Sequence, residues 1–226
     1  MNFPPASSRR HPAAFTLIEL LTVIAIIGVL AALLIPVLAG LSRRKYINAA
    51  QAELTAIQNA IESYHSAYGV YPPSNANGNV LLSPLYYELE GTTKAGGVYT
   101  TMDGFSRIPA GEVSTDFGLQ GFVNTTRGAG SEETVNAKNF LTGVKANRFA
   151  TVTNGQGGSF VVLITSVGGP DLAYQPLNGQ GVNPFRYNSL NPTNNVKSYD
   201  LWIDLSISGK TNRICNWSRQ VLTILN

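Results

Sequence analysis

A single acidic residue stands inside the longest apolar stretch of the chain. From Phe15 to Pro36 the sequence reads FTLIELLTVIAIIGVLAALLIP, and Glu19 is its only ionisable side chain. Placing a charge in hydrocarbon costs about 2.5 to 3.5 kcal/mol on membrane-insertion scales. A carboxylate kept at that cost indicates a function, and the chemistry it offers is the pairing of its charge with a cation.

Residues suited to catalysis or zinc binding are few. The chain has two histidines, His11 and His65, and one cysteine, Cys215. A zinc site or a Ser-His-Asp triad therefore has little material, and we expect no enzymatic activity. Because Cys215 is alone it cannot form an intrachain disulfide, and we expect a buried, unreactive thiol.

The element that must position Glu19 is a predicted transmembrane helix. As a helix, the stretch from Phe15 to Ile35 would span roughly 30 Å, the thickness of a bilayer's hydrocarbon core. A cleaved secretory signal, cut near Ala39-Gly40, is one alternative, but the stretch is long for such a signal. A plain membrane anchor is another, but it gives no reason for Glu19. Cations lie on both sides of the stretch, so their count does not fix its orientation.

A second helical segment is predicted after the apolar one. Pro36 removes a helical hydrogen bond, which predicts a kink or a locally melted stretch. Beyond it, apolar residues recur at alternating spacings of three and four, as in an amphipathic helix, and Gly69 is placed to cap the end. These apolar residues are Ile47, Ala50, Leu54, Ile57, Ile61, Tyr64 and Tyr68.

The remainder of the chain is predicted to be rich in strands and turns. Short helices are expected at 85–89 and from Ser131 to about Gly143. The clearest strand covers 159–167, and further strands are expected at 149–153, 198–205 and 220–225. A strand meander packed on the amphipathic helix gives an α+β fold, with a long N-terminal helix on a C-terminal antiparallel sheet.

The beginning of the apolar stretch resembles a known signal. A basic leader and a small residue, Ala14, precede Phe15-Thr16-Leu17-Ile18-Glu19 and an unbroken apolar run. This order is similar to the prepilin signal of type IV pilins and type II secretion pseudopilins. In that family a prepilin peptidase cuts on the cytoplasmic side, before the apolar run, and methylates the new terminal amine. The resemblance implies cleavage between Ala14 and Phe15 and methylation of Phe15, although the family usually has Gly where this chain has Ala14.

The resemblance also implies an assembly role for the start of the helix. In filaments of this family the carboxylate is thought to neutralise the terminal amine of a neighbouring subunit. Such a pair would set register, because a mis-staggered subunit leaves both charges desolvated and unpaired. The family further implies that the region around Pro36 unwinds on entry into a filament. The expected assembly residues are Phe15, Thr16, Glu19 and Pro36.

Short motifs in the head resemble the major pseudopilin of type II secretion. They are Tyr68-Gly69-Val70-Tyr71-Pro72, Asn183-Pro184-Phe185-Arg186-Tyr187, Tyr199-Asp200-Leu201-Trp202 and Ile214-Cys215-Asn216-Trp217. That family binds calcium in the loop that joins its last strands, which makes Asp200, Asp204 and Ser206 candidate ligands. Alternation along a strand would place the two aspartates on one face, which fits a calcium site and two solvated side chains equally. No cofactor is required by this interpretation.

The charge balance does not favour nucleic-acid binding. The chain has 16 basic and 13 acidic residues, and removal of the leader would take away Arg9 and Arg10 and leave 14 basic residues. Such a balance gives no broad basic surface, so no nucleic-acid partner is expected. The cluster from Arg43 to Lys45 is interpreted as a solvated patch that anchors the helix at a membrane surface.

The sequence patterns and the resemblance together predict four parts. They are a leader at 1–14, a transmembrane and filament-core helix at 15–36, an amphipathic helix at 37–68, and a periplasmic head at 69–226 with an unmatched insert at about 90–183. The expected function is that of a structural subunit of a type II secretion pseudopilus. A type IV pilin of a surface fibre for adhesion, motility or DNA uptake is the first alternative, and a membrane-anchored binding module is the second.

Partners and location follow from the resemblance. The expected partners are further copies of the chain, prepilin peptidase, an inner-membrane assembly platform and, before assembly, membrane lipid. The expected location is the bacterial inner membrane, crossed once. The N-terminus would be cytoplasmic before cleavage and the head periplasmic, and the subunit would join the pseudopilus after assembly.

Overall fold

One long helix opens the described part of the chain. In the computed structural model, α1 runs from Leu17 to Tyr68. It ends where Gly69, at a φ of 74°, donates its N–H to the carbonyl oxygen of His65 at 2.8 Å. Glycine adopts this left-handed conformation without steric cost, so the predicted cap is confirmed. The structure describes residues 16–126, 136–144, 146–153, 158–168, 181–207 and 209–224, without the side chains of 34–42 and 146.

The chain divides into two compact units, Met1–Arg44 and Lys45–Asn226. In the first unit, the large apolar side chains from Leu17 to Leu33 are 46% to 79% exposed. Over the residues that the structure describes, no helix is both long and apolar enough to cross a membrane.

The second unit combines the remainder of α1 with two short helices and ten described strands. These elements are α2 (Leu85–Glu90), β1 (Thr92–Ala95), β2 (Val98–Thr101), β3 (Arg107–Pro109), α3 (Ala110–Phe117), β4 (Thr125–Thr126), β5 (Phe149–Thr153), β6 (Ser159–Leu163), β7 (Arg186–Asn188), β8 (Asp200–Ile207), β9 (Lys210–Cys215) and β10 (Ser218–Ile224). The strands form sheets in the orders β3-β2-β1-β4 and β10-β9-β8-β7 and the pair β5-β6. Neighbours are antiparallel except β1 and β4, which are parallel. The predicted α+β class is confirmed.

The apolar stripe of α1 lies in the core of the second unit. Every predicted stripe residue from Ile47 to Tyr64 is at most 8% exposed, and Tyr68 packs against the core at partial exposure. Alternate residues of β8, including Leu201 and Ile203, are fully buried in the same cluster. Burial of the stripe therefore joins the helix and the C-terminal sheet into one core, as the periodicity predicted.

Several predicted elements are found near their predicted bounds. β5 has the predicted bounds, and α2 covers the predicted helix at 85–89. β6 ends at Leu163, before the predicted end at 167, and β8 and β10 each lie about two residues from the predicted segments. No sequence pattern predicted α3, β1 to β4, β7 or β9.

The helix predicted from Ser131 to Gly143 is wrong over the part that the structure describes, residues 136–143. There the backbone donates to other elements. Lys138 donates its N–H to Oδ1 of Asn124 at 2.9 Å, and Phe140 donates to a carbonyl oxygen of α2 at 2.7 Å. Because these amides are used in tertiary contacts, they do not form the ladder of a helix.

A buried carboxylate joins α1 to the chain that follows α3. Glu88 of α2 is fully buried, and its carboxylate accepts the Tyr64 hydroxyl at 2.8 Å and the N–H groups of Val123 and Asn124 at 2.9 and 3.0 Å. The side-chain oxygen of Asn124 accepts the Tyr68 hydroxyl at 2.6 Å. Burial raises the pKa of Glu88 above its usual value, although these hydrogen bonds act in the opposite direction.

We expect Glu88→Leu to lower the free energy of unfolding by about 3 kcal/mol or more, because three donors lose their acceptor. Glu88→Gln keeps one acceptor oxygen and should cost less. Since the folded-state pKa of Glu88 is raised, its contribution to stability is full below the unfolded value near 4.5 and is lost as pH rises through the folded value. Chemical denaturation of the full-length protein across pH measures both effects. A Glu88→Gln protein with the same pH dependence as the native one would contradict this role.

Candidate assembly site at the start of the first helix

Thr16 and Glu19 form a reciprocal pair at the start of α1. The Thr16 hydroxyl oxygen accepts the backbone N–H of Glu19 at 3.3 Å. In return, Oε2 of Glu19 accepts the N–H of Thr16 at 2.9 Å and the Thr16 hydroxyl at 2.7 Å. This is a capping box, in which Thr and a Glu three residues later satisfy amides that a helix start leaves without partners.

The Glu19 carboxylate is therefore held in a fixed place and is still open to solvent. Its side chain is exposed, and none of the ion pairs among the described residues involves it. A negative charge in the first turn also interacts favourably with the helix dipole. In chemical terms, the start of α1 presents an oriented anion that can pair with an incoming cation.

The capping box is compatible with the expected processing. The Thr16 N–H belongs to the peptide bond between Phe15 and Thr16, so a cut between Ala14 and Phe15 would leave it intact. Ala14 and Phe15 lie outside the described residues, and the cleavage site stays a prediction. Sequence reasoning interpreted Glu19 through its charge alone, although the spacing Thr-x-x-Glu is itself the signal of a capping box.

Pro36 lies within α1, which is helical on both sides of it. The locally melted stretch that was one expectation for this position is not found in the single chain, since a proline removes one hydrogen bond of the ladder and the neighbouring turns keep theirs. The expected role of Pro36 in assembly stays a prediction.

Asp200, the first calcium candidate, holds the loop that precedes β8. Its carboxylate accepts the backbone N–H groups of Thr193, Asn194 and Asn195 at 2.8 to 2.9 Å, and the side-chain amide of Asn194 at 3.0 Å. Burial on its own would raise the pKa of Asp200, but the combined hydrogen bonds from this loop lower it below the usual value.

Asp204, the second candidate, is paired with arginines. Its two carboxylate oxygens accept Nε and Nη2 of Arg213 at 2.7 and 2.9 Å, and Arg186 lies 3.6 Å away. The strand register causes this pairing, because Asp204 stands opposite Arg213 on β9. Ser206, the third candidate, is exposed. In the part of the chain that the structure describes, no three His, Cys, Asp or Glu side chains are grouped to hold a metal ion.

Cys215 and His65, the residues considered for catalysis or metal binding, have contacts that fit a structural role. Cys215 is a free, buried thiol, as predicted, and burial raises its pKa. His65 stacks on the ring of Tyr71, with 4.2 Å between the ring centroids. Neither arrangement provides a nucleophile activated by a nearby base.

Comparison with known proteins finds a family motif that covers the start of α1. Residues 9–35, which include Thr16 and Glu19 of the capping box, match the model of the prokaryotic N-terminal methylation motif. The start of the chain is thus similar to that of a prepilin, as its sequence predicted. It is also 31% identical over 75 residues to the type II secretion system core protein G of Aeromonas hydrophila.

The extent of that similarity is limited. The aligned residues make up 33% of this chain and 52% of the relative, so the chain spans about half the length of the curated relative it matches. No solved structure matches the chain. The motif and the relative together support a pilin-like subunit.

We expect Thr16→Ala to weaken the first turn of α1 by about 1 kcal/mol, because it removes the side-chain oxygen that caps the helix. The backbone N–H of Glu19 should then exchange with deuterium about fivefold faster. Nuclear magnetic resonance on the full-length protein in detergent micelles measures this rate. Thr16→Ser keeps the hydroxyl and is the matched control, so equal exchange in the Ala and Ser variants would argue against the cap.

Proposed function

We propose that this chain is a structural subunit of a type II secretion pseudopilus and assembles through the start of α1. The observation that carries the proposal is the capping box of Thr16 and Glu19 at the start of α1, followed by exposed large apolar side chains from Leu17 to Leu33. An exposed apolar surface is normally covered by a partner or by lipid. An oriented carboxylate at one end of such a surface would fix the position of a neighbouring helix along α1.

The proposed chemistry of assembly is a charge pair between copies. Prepilin peptidase would cut between Ala14 and Phe15 and methylate the amine of Phe15, and Glu19 of an adjoining copy would neutralise that amine. In a bundle of low dielectric constant the pair attracts strongly when aligned, and each charge costs several kcal/mol when it is buried alone. The pair would thereby select one stagger between neighbouring helices.

The capping box also suggests how the Glu19 carboxylate could be tolerated in the membrane before assembly. A buried carboxylate is less costly when donors replace the water around it. The Thr16 hydroxyl and N–H are two such donors, and they belong to the same copy, so they are present before any neighbour arrives. An arriving amine would then add to a carboxylate that is already positioned.

We propose that lipid covers the helix before assembly. The sequence from Phe15 to Ile35 is predominantly apolar, with Glu19 as its only ionisable side chain, which suits one pass through the inner membrane with the head in the periplasm. Other copies, gathered at an inner-membrane platform, would then replace lipid around the helix. The relative named as a secretion core protein favours a secretion pseudopilus over a surface fibre.

We expect Glu19→Leu to reduce filament assembly at least about tenfold while membrane insertion is unchanged, because a lost pairing energy of about 1.4 kcal/mol already gives that factor. Cross-linking and pelleting of sheared filaments measure assembly, and membrane fractionation measures insertion. Thr22→Val, in the same helix, is the control that leaves the charge in place. Assembly of Glu19→Leu at the native level would refute the charge pair.

The N-terminus of the mature protein gives an independent test. Mass spectrometry is expected to find a methylated Phe15, since the proposed amine exists only after cleavage. An intact Met1 or a terminus beyond Gly40 would exclude this form of assembly.

Thr16→Ala, which loses the cap but keeps the carboxylate, should assemble better than Glu19→Leu. Equal defects in the two variants would mean that helix capping alone explains the role of Glu19.

A further inference from the structure

We infer that Asp200 closes the loop 189–199 by itself, in place of the calcium ion that the resemblance to pseudopilins implied, and that the head folds independently of calcium. The inference concerns the head alone and does not depend on how the first helix assembles. It rests on the kind of groups that surround the two candidate carboxylates.

The groups of the loop that face the Asp200 carboxylate are hydrogen-bond donors, whereas a metal ion would need oxygen ligands. Oδ2 accepts the N–H and hydroxyl of Thr193 and the N–H and side-chain amide of Asn194, and Oδ1 accepts the N–H of Asn195. Calcium takes six to eight oxygen lone pairs. N–H groups present hydrogen atoms of partial positive charge, so groups that converge on a carboxylate in this way oppose a cation at the same position.

Asp204 is engaged in a different network. Both of its oxygens are used by Arg213, and the guanidinium of Arg213 also lies over the ring of Trp202, 5.6 Å from its centroid. A calcium ion at Asp204 would have to displace this bidentate pair, which already neutralises the carboxylate. The two aspartates thus act through separate sets of donors and do not form a shared ligand set.

The ends of the loop are fastened as well as its middle. Ser189 donates its hydroxyl to the carbonyl oxygen of Pro72 at 2.8 Å, which ties the loop to the chain after α1. At the other end, Asn216 donates its side-chain amide to the carbonyl oxygen of Tyr199 at 2.9 Å and accepts the N–H of Leu201 at 3.0 Å. Hydrogen bonds from the protein itself therefore hold the middle of the loop and both of its ends.

The first test compares the native full-length protein, in detergent, in EDTA and in millimolar calcium chloride. We expect the same melting temperature in both. If the folded head bound calcium, a free calcium concentration about 100 times the dissociation constant would instead raise the melting temperature by about 5 to 10 °C. A saturable, calcium-dependent rise of that size, with magnesium as the control ion, would overturn the inference.

Hydrogen exchange of the loop amides tests the role of Asp200 directly. In Asp200→Asn the N–H groups of Thr193, Asn194 and Asn195 should exchange at least about tenfold faster than in the native protein, whether calcium is present or not. Ser206→Ala, at the third calcium candidate, should leave these amides unchanged. If Asp200→Asn does not fold, the native protein still decides the question. Equal protection of these amides in EDTA and calcium supports the inference, and loss of protection in EDTA overturns it.

Discussion

Burial of the apolar stripe on the second half of α1 is the constraint on which the rest of the head depends. The stripe from Ile47 to Tyr64 is almost completely buried and shares one cluster with the inward residues of the C-terminal sheet. Apolar burial supplies most of the favourable free energy, but it has no direction. Polar contacts must therefore fix which part of the chain lies where along the helix, and α1 provides several.

Two carboxylates provide these contacts in different ways. Glu53 of α1 forms an ion pair with Arg148 at 2.9 Å and accepts the hydroxyls of Thr165 and Ser166 at 2.5 and 2.6 Å, so it ties the helix to the chain on both sides of the β5-β6 pair. Glu88 is fully buried, and its described partners are neutral donors. A cation compensates the charge of Glu53. At Glu88 hydrogen bonds alone act against burial, and burial still raises the pKa of that carboxyl.

The parts of the fold that sequence reasoning found are those with a local signal. The three-and-four spacing predicted the α1 stripe, and Gly69 predicted its end. The β1-β2 hairpin carries a local signal too, the Gly96-Gly97 pair, since both residues have the positive φ that a type I′ turn requires. Its strands are only four residues long, too short to show periodicity, and the turn was overlooked. The helix predicted from Ser131 rested on a cap-like sequence at its beginning, but the described residues 136–143 are held by distant partners, which no local pattern reveals.

The same division explains what was and was not seen at the candidate sites. Glu19 is recognisable from sequence because it is the one ionisable side chain from Phe15 to Pro36. The arginine that pairs with Asp204 comes from another strand, which no local pattern reveals. The partners of each carboxylate also explain why three acidic side chains have different roles. Asp204 uses both oxygens on an arginine, and Asp200 uses both on its loop, so a further cation would have to break existing bonds. Glu19 makes its two bonds to Thr16 through Oε2 alone, and it is exposed. Its Oε1 takes no part in the cap, so a cation can be added without loss of the helix start.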